Sequence, residues 1–152
     1  MGSRASVIIQ RPIDEVFRLT TEHVPEWSNV VAEDEIIEDK GGVGTTFRTV
    51  TADRGRRMQF QGIITEHEPP NKTSIHMVGD QFDIQVKYKF TDLGAEGTRV
   101  LQGPKVSGKG MAGFFFKFFG WLMRSASCQA AQREMDSLKA FCERSAVDDD
   151  GL

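Results

Sequence analysis

The feature that most limits how this chain can fold is its last long segment, Gly110 to Ser145, which contains no proline and is rich in good helix formers. As one helix it would be roughly 50 Å long, at about 1.5 Å per residue. In a chain of 152 residues such a helix has to lie across everything else. Its two halves differ. In the second, Cys128, Ala131, Met135, Leu138 and Cys142 recur at spacings of three and four and make a one-sided apolar stripe. Arg133, Glu134, Asp136, Lys139 and Glu143 take the other positions. In the first half, Met111, Phe114, Phe115, Phe116, Phe118, Phe119, Trp121, Leu122 and Met123 surround the axis, with only Lys117 and Arg124 charged. A helix apolar all round is normally enclosed on all sides. The alternative is that one side packs inward and the other, along Phe114 to Met123, is a contact surface for a dimer partner, a membrane or another protein. The run is too short for a membrane span, which needs about 20 apolar residues.

What precedes this segment reads mostly as strands. Ser6 to Gln10 is short and β-branched and is stopped by Arg11-Pro12. Pro12 suits the first turn of a helix, with Asp14 and Glu15 placed well for its dipole and Ile13, Val16, Phe17 and Thr20 on one face. His23 to Asn29 predicts a second short helix, with Trp27 packing at the bracket between the two. From there the signals become strands and turns. The acidic stretch Glu33 to Asp39 suits a sheet edge. Thr45 to Thr51, Met58 to His67, Thr73 to Val78 and Thr98 to Lys105 follow the same logic, separated by Gly- and Pro-rich turns. The clearest strand is Gln81 to Thr91. Phe82, Ile84, Val86, Tyr88 and Phe90 alternate strictly with Gln81, Asp83, Gln85, Lys87 and Lys89, so one face is buried and the other wet. Strand, two short helices, six strands and a long helix predict an α+β fold with the helices on one face of an antiparallel meander.

Composition narrows the function. The net charge is −3 with both signs well mixed, unlike the basic stripe of a nucleic-acid surface. Cys128 and Cys142 would sit about 21 Å apart along one helix, too far for an intrachain disulfide. Two free thiols suit a reducing compartment, and the first residues lack the apolar core of a signal peptide, so the expected location is cytoplasmic. One domain is expected over residues 1–145, followed by a short acidic tail, 146–152, expected to be disordered.

An ordered set of short stretches then resembles a known group. These are Val7-Ile8-Ile9 with Arg11-Pro12-Ile13-Asp14-Glu15-Val16-Phe17, then Glu26-Trp27, Gly42-Val43-Gly44-Thr45, Ile64-Thr65-Glu66-His67-Glu68-Pro69-Pro70, Gly97-Thr98-Arg99-Val100 and Leu138-Lys139-Ala140-Phe141. Together they resemble the START/Bet v 1-like (SRPBCC) superfamily, specifically its polyketide cyclase/dehydrase and lipid transport branch. The resemblance implies a helix-grip fold: a seven-stranded curved antiparallel sheet wrapped round a long C-terminal helix, with two short helices after strand one and a cavity between sheet and long helix. Members of that group bind lipids, sterols, polyketides or hormones, and some cyclise or dehydrate polyketides. Fold alone does not choose among these.

The catalytic inventory is thin. His23, His67 and His76 have no metal-binding spacing, and neither a GxSxG motif nor a phosphate- or dinucleotide-binding glycine pattern is present, so no metal and no cofactor is expected. Arg54, Arg56 and Arg57 cluster at a hairpin tip, the usual place for solvated charge. His76 and Tyr88 are the candidate catalytic residues. Alternation puts either His76 or the pair Ile75 and Met77 inward, without choosing between them. The expected ligand-binding wall is Phe47, Phe60, Ile64, Phe82, Ile84, Val86, Tyr88 and Val100 from the meander, with Phe115, Phe118, Leu122 and Ala126 from the helix. Buried tyrosine hydroxyls need a partner, so Tyr88 is placed to orient a ligand oxygen or to bond another side chain. The first expectation is a binding protein for a small hydrophobic ligand, lipid, polyketide or isoprenoid-like; the alternative is a polyketide cyclase or dehydratase working in the same cavity.

Overall fold

The computed structural model describes residues 4–53, 56–80, 82–108 and 131–144. The chain begins with β1 (Ala5–Ile9), then folds α1 (Ile13–Glu22) and α2 (Val24–Trp27). Six more strands follow: β2 (Val31–Glu38), β3 (Thr46–Asp53), β4 (Arg56–Glu68), β5 (Lys72–Val78), β6 (Phe82–Asp92) and β7 (Thr98–Gly108). Residues 131–144 are helical and are called α3. The seven strands form one antiparallel sheet in the order β1-β7-β6-β5-β4-β3-β2. This is the strand, two helices, six strands and helix order that the patterning predicts.

Local chemistry accounts for the bracket. Pro12 precedes α1 with extended backbone angles, and Asp14 and Glu15 lie in its first turn, near the positive end of the dipole. Trp27 is buried and donates its indole N–H to the Thr20 carbonyl at 3.0 Å, which ties α2 back to α1. The predicted stripe of α3 faces this bracket. Ala131, Met135, Leu138 and Cys142 are buried with Phe141 against Ile9, Val16, Phe17, Leu19, Phe90 and Val100. Met135 and Leu138 are fully buried, each worth about 1.5–3 kcal/mol relative to exposure. The face of the sheet that meets α3 is termed concave below, and the opposite face convex.

The polar positions of α3 also have partners. Gln132 Nε2 donates to the Ser6 carbonyl at 3.1 Å and Lys139 Nζ to the Ile8 carbonyl at 2.7 Å, while Glu143 accepts the Gln10 N–H at 3.0 Å. One helix face thus satisfies every second backbone group along the open side of β1 and covers an edge that would otherwise invite pairing. Burial pushes the Glu143 carboxyl up, but the Lys139 and Gln10 hydrogen bonds outweigh it and leave the group below its ordinary value. The other edge, β2, is acidic and exposed as predicted. Glu33 and Glu35 pair with Arg57 and Arg48 at 2.6 and 3.2 Å, so Arg57 of the hairpin tip is held by a carboxylate two strands away, across β3.

A bulge changes the phase of one strand. Phe60, Gly62 and Ile64 of β4 share the concave face, but the register with β5 slips between Ile64 and Glu66. Beyond the slip His67, not Glu66, takes the concave side opposite Thr73 and packs against Phe17 at a ring separation of 5.6 Å. Simple alternation along Met58 to His67 puts His67 on the wrong face, because a single extra residue inverts every side chain after it.

Candidate functional site: the apolar concave face and its polar pair

The concave face divides into two apolar clusters. The first is the core sealed by α1, α2 and α3. The second lies on β3 to β6. Phe60, Met77 and Val86 are buried there, and Phe47, Met58, Ile75, Ile84 and Tyr88 pack against them while staying partly exposed. Tyr88 belongs to both clusters. Five large side chains left partly open in one concave patch are the surface on which an apolar molecule would gain most by binding.

Register explains how the patch is assembled. Tyr88 lies opposite Thr73, Val86 opposite Ile75 and Ile84 opposite Met77. Gly62 lies opposite both Phe47 and Met77. A Cβ on Gly62 would sit 2.2 Å from Phe47 Cζ, so the Phe47 ring lies directly over this glycine. The missing side chain is what lets the ring fold down onto the sheet.

Polar groups mark the boundary between the clusters. Gln102 of β7 is 6 % exposed and lies opposite Tyr88. Its Nε2 donates to the Tyr88 hydroxyl oxygen at 2.9 Å. Burial raises the Tyr88 phenol well above its ordinary value; the Gln102 hydrogen bond opposes this and the Glu134 carboxylate reinforces it. The phenol therefore stays protonated at neutral pH, and its O–H is available to donate. Glu134 itself is half-buried on α3. It accepts from Ser28 Oγ at 2.6 Å and from the Asn29 N–H. Burial raises its carboxyl, against the pull of these two bonds. Ser137 Oγ adds a bond to the Trp27 carbonyl at 2.5 Å and Asn29 Nδ2 donates to the Arg133 carbonyl at 3.2 Å, so α3 holds the α2–β2 connection by four hydrogen bonds.

Of the expected wall residues, the structure brings Phe47, Phe60, Ile84, Val86 and Tyr88 together in the second cluster, with Ile64 on the same face. Val100 shares the face but is fully buried in the first cluster, under α3, and so belongs to the core. The Phe82 side chain lies outside the described residues, as do Phe115, Phe118, Leu122, Ala126, the surface Phe114 to Met123, Cys128, Arg54 and the tail 146–152. His76 lies opposite Gln85 and Ile63 on the convex face, because Ile75 and Met77 take the inward positions. Of the two candidate catalytic residues only Tyr88 therefore faces the patch. A depression of about 560 Å³ lined by Gln59, Gln61, Val78, Gly79 and Asp80 also lies on the convex side. Gln102 and Glu134 carry no motif. The phase of Thr98, Val100 and Gln102 along β7 is the sequence signal that places Gln102 inward, whereas nothing local distinguishes Glu134 from the other charges of α3. Among the described residues no group of three metal-ligating side chains converges, and no helix is long and apolar enough to cross a membrane.

A seven-stranded antiparallel sheet with two short helices after its first strand and a C-terminal helix across its concave face defines a START-type, helix-grip protein. The family model described as "Polyketide cyclase / dehydrase and lipid transport" matches residues 3–143, and the chain belongs to that family. Solved structures agree on the fold. TTHA0849 from Thermus thermophilus is 18 % identical with a TM-score of 0.78, the match covering 95 % of this chain and 99 % of that one. Zhui aromatase/cyclase from a Streptomyces species is 12 % identical with a TM-score of 0.77, covering 95 % and 94 %. A START superfamily protein from Mycobacterium smegmatis is 12 % identical with a TM-score of 0.76, covering 94 % and 97 %. At such identities the likeness concerns fold alone. No curated protein sequence matches the chain.

Proposed function

We propose that this chain, as one helix-grip domain over residues 1–145, binds a small hydrophobic ligand of lipid, polyketide or isoprenoid character in the cytoplasm. The ligand would lie against the concave patch of Phe47, Phe60, Ile75, Met77, Ile84, Val86 and Tyr88. The observation that carries this reading is the division of one apolar face into a sealed half and a half whose large side chains remain partly exposed. Membership of a family described by both cyclase and lipid-transport activities supports it. The alternative, a cyclase or dehydratase, needs an ionisable group that can exchange a proton at the ligand. Of the two candidates, His76 faces the other way, which leaves Tyr88 as the one at the proposed ligand surface.

The test is native mass spectrometry of the purified protein with organic extraction, together with titration by the apolar dye N-phenyl-1-naphthylamine. A discrete apolar mass lost on denaturation, or saturable dye binding that Ile75→Trp and Ile84→Trp abolish without loss of folding, is the expected result. A bare chain that binds no dye refutes the reading. Turnover of an enolisable polyketide analogue that Tyr88→Phe abolishes would establish the alternative.

A further inference from the structure

The Tyr88–Gln102 pair differs from several buried hydroxyls of this protein. Thr98 Oγ1 donates to the Arg11 carbonyl at 2.8 Å, Thr20 Oγ1 to the Val16 carbonyl at 2.7 Å and Thr73 Oγ1 to the Glu66 carbonyl at 3.1 Å. Each of those hydroxyls directs its donor to a fixed backbone acceptor, as buried polar groups normally do. Among the described residues, Tyr88 and Gln102 bond only to each other through their side chains. A primary amide has two donors and two acceptor positions, and a phenol has one donor. The single bond between them leaves the Tyr88 O–H without an acceptor and Gln102 Oε1 without a donor among the described residues. Turning the amide over exchanges the roles: the phenol then donates to the amide oxygen, and both amide N–H groups are left to donate.

On an otherwise apolar face, such a pair is the place where a polar atom of a bound molecule finds partners. Its position supplies the occupant. Tyr88 is the residue shared by the two clusters, so the pair stands at the inner end of the patch proposed above as the ligand-binding surface. We infer that Tyr88 and Gln102 form an oxygen-reading pair, and that the ligand is apolar except for one neutral hydroxyl or carbonyl oxygen seated against them. This inference rests on the ligand-binding reading and gives that ligand a chemical class. Gln102 becomes a specificity-determining residue. The neutral state of the oxygen follows from the neighbourhood: the pair carries no positive charge to receive a carboxylate, and the Glu134 carboxylate nearby opposes a second one.

The experiment uses two probes of nearly equal shape, 2-naphthol and 2-methylnaphthalene, each displacing N-phenyl-1-naphthylamine from the full chain. The readout is the ratio of their dissociation constants in the wild type, in Tyr88→Phe and in Gln102→Leu, with circular dichroism confirming that each variant folds. Losing one hydrogen bond to the probe should move the ratio about tenfold towards 2-methylnaphthalene in each variant. If both probes bind and the ratio is the same in all three proteins, the oxygen-reading pair is refuted while ligand binding stands. If the wild type binds neither the dye nor either probe, ligand binding itself falls and the pair falls with it.

Discussion

Replacing Glu134 by alanine separates two readings of the C-terminal helix. As one of several charges on a helix face, Glu134 should be worth little, since substitutions at ordinary surface positions change stability by no more than about 0.5 kcal/mol. Its actual partners say otherwise. The carboxylate accepts from Ser28 Oγ and the Asn29 N–H, and Ser28 Oγ in turn accepts the N–H groups of Val30 and Val31 at 3.1 and 3.0 Å. Removing the carboxylate leaves a half-buried hydroxyl donor and the Asn29 N–H without their acceptor. A hydrogen bond to a charged group contributes about 1.5–3 kcal/mol. The Asn29 bond is exposed, so water replaces much of it, and the net cost should be about 2 kcal/mol. For a chain of this length that is a fall of about 4–8 °C in Tm. The assay is urea and thermal unfolding at neutral pH, with Asp136→Ala as control because Asp136 is exposed and its hydrogen bond is to Gln132 on the same helix. A loss within about 0.5 kcal/mol for Glu134→Ala, or an equal loss for Asp136→Ala, would refute the role given to Glu134 as the clasp of the α2–β2 connection.

Three further outcomes are expected. Glu134→Gln should flatten part of the pH dependence of stability. Burial raises the native carboxyl above its ordinary value of 4.5, so this group makes the wild type lose stability as pH rises from there, and the glutamine variant should lose less between that value and neutrality in urea midpoints. Gly97→Ala should cost about 2–4 kcal/mol in the same assay: Gly97 has φ +100°, and a Cβ there would meet the Ile9 carbonyl oxygen at 2.1 Å, which a side-chain rotation cannot relieve. The Cys142 thiol, fully buried and pushed up to about 12 by burial, with Glu15 and Glu143 adding to the effect and Arg11 opposing it, should remain unalkylated by iodoacetamide at neutral pH until the chain is denatured, as read by peptide mass spectrometry.

What this sequence determines by itself is whatever depends on neighbours a few residues away. Pro12 and the acids after it set the start of α1, the alternation of Phe82 to Phe90 sets the strand and its two faces, and the three–four spacing of Ala131, Met135, Leu138 and Cys142 sets the buried side of α3. The shared face of Phe47, Phe60, Ile84, Val86 and Tyr88 was legible for the same reason: they are large and apolar, and each follows its strand's period. The rest depended on which strand lies beside which, and in what register. Alternation gave His76 and its neighbours equal claims to the interior, and only pairing with β4 and β6 turned Ile75 and Met77 inward. One bulged residue reversed His67. Val100 joins the core because α3 closes over it. Gln102 gained its meaning only when β7 was laid beside β6, and Glu134 only when the helix met a loop more than a hundred residues earlier in the chain. Periodicity assigns a side chain to a face, but the partner across that face belongs to a distant segment, and hydrogen bonding and desolvation are properties of the pair.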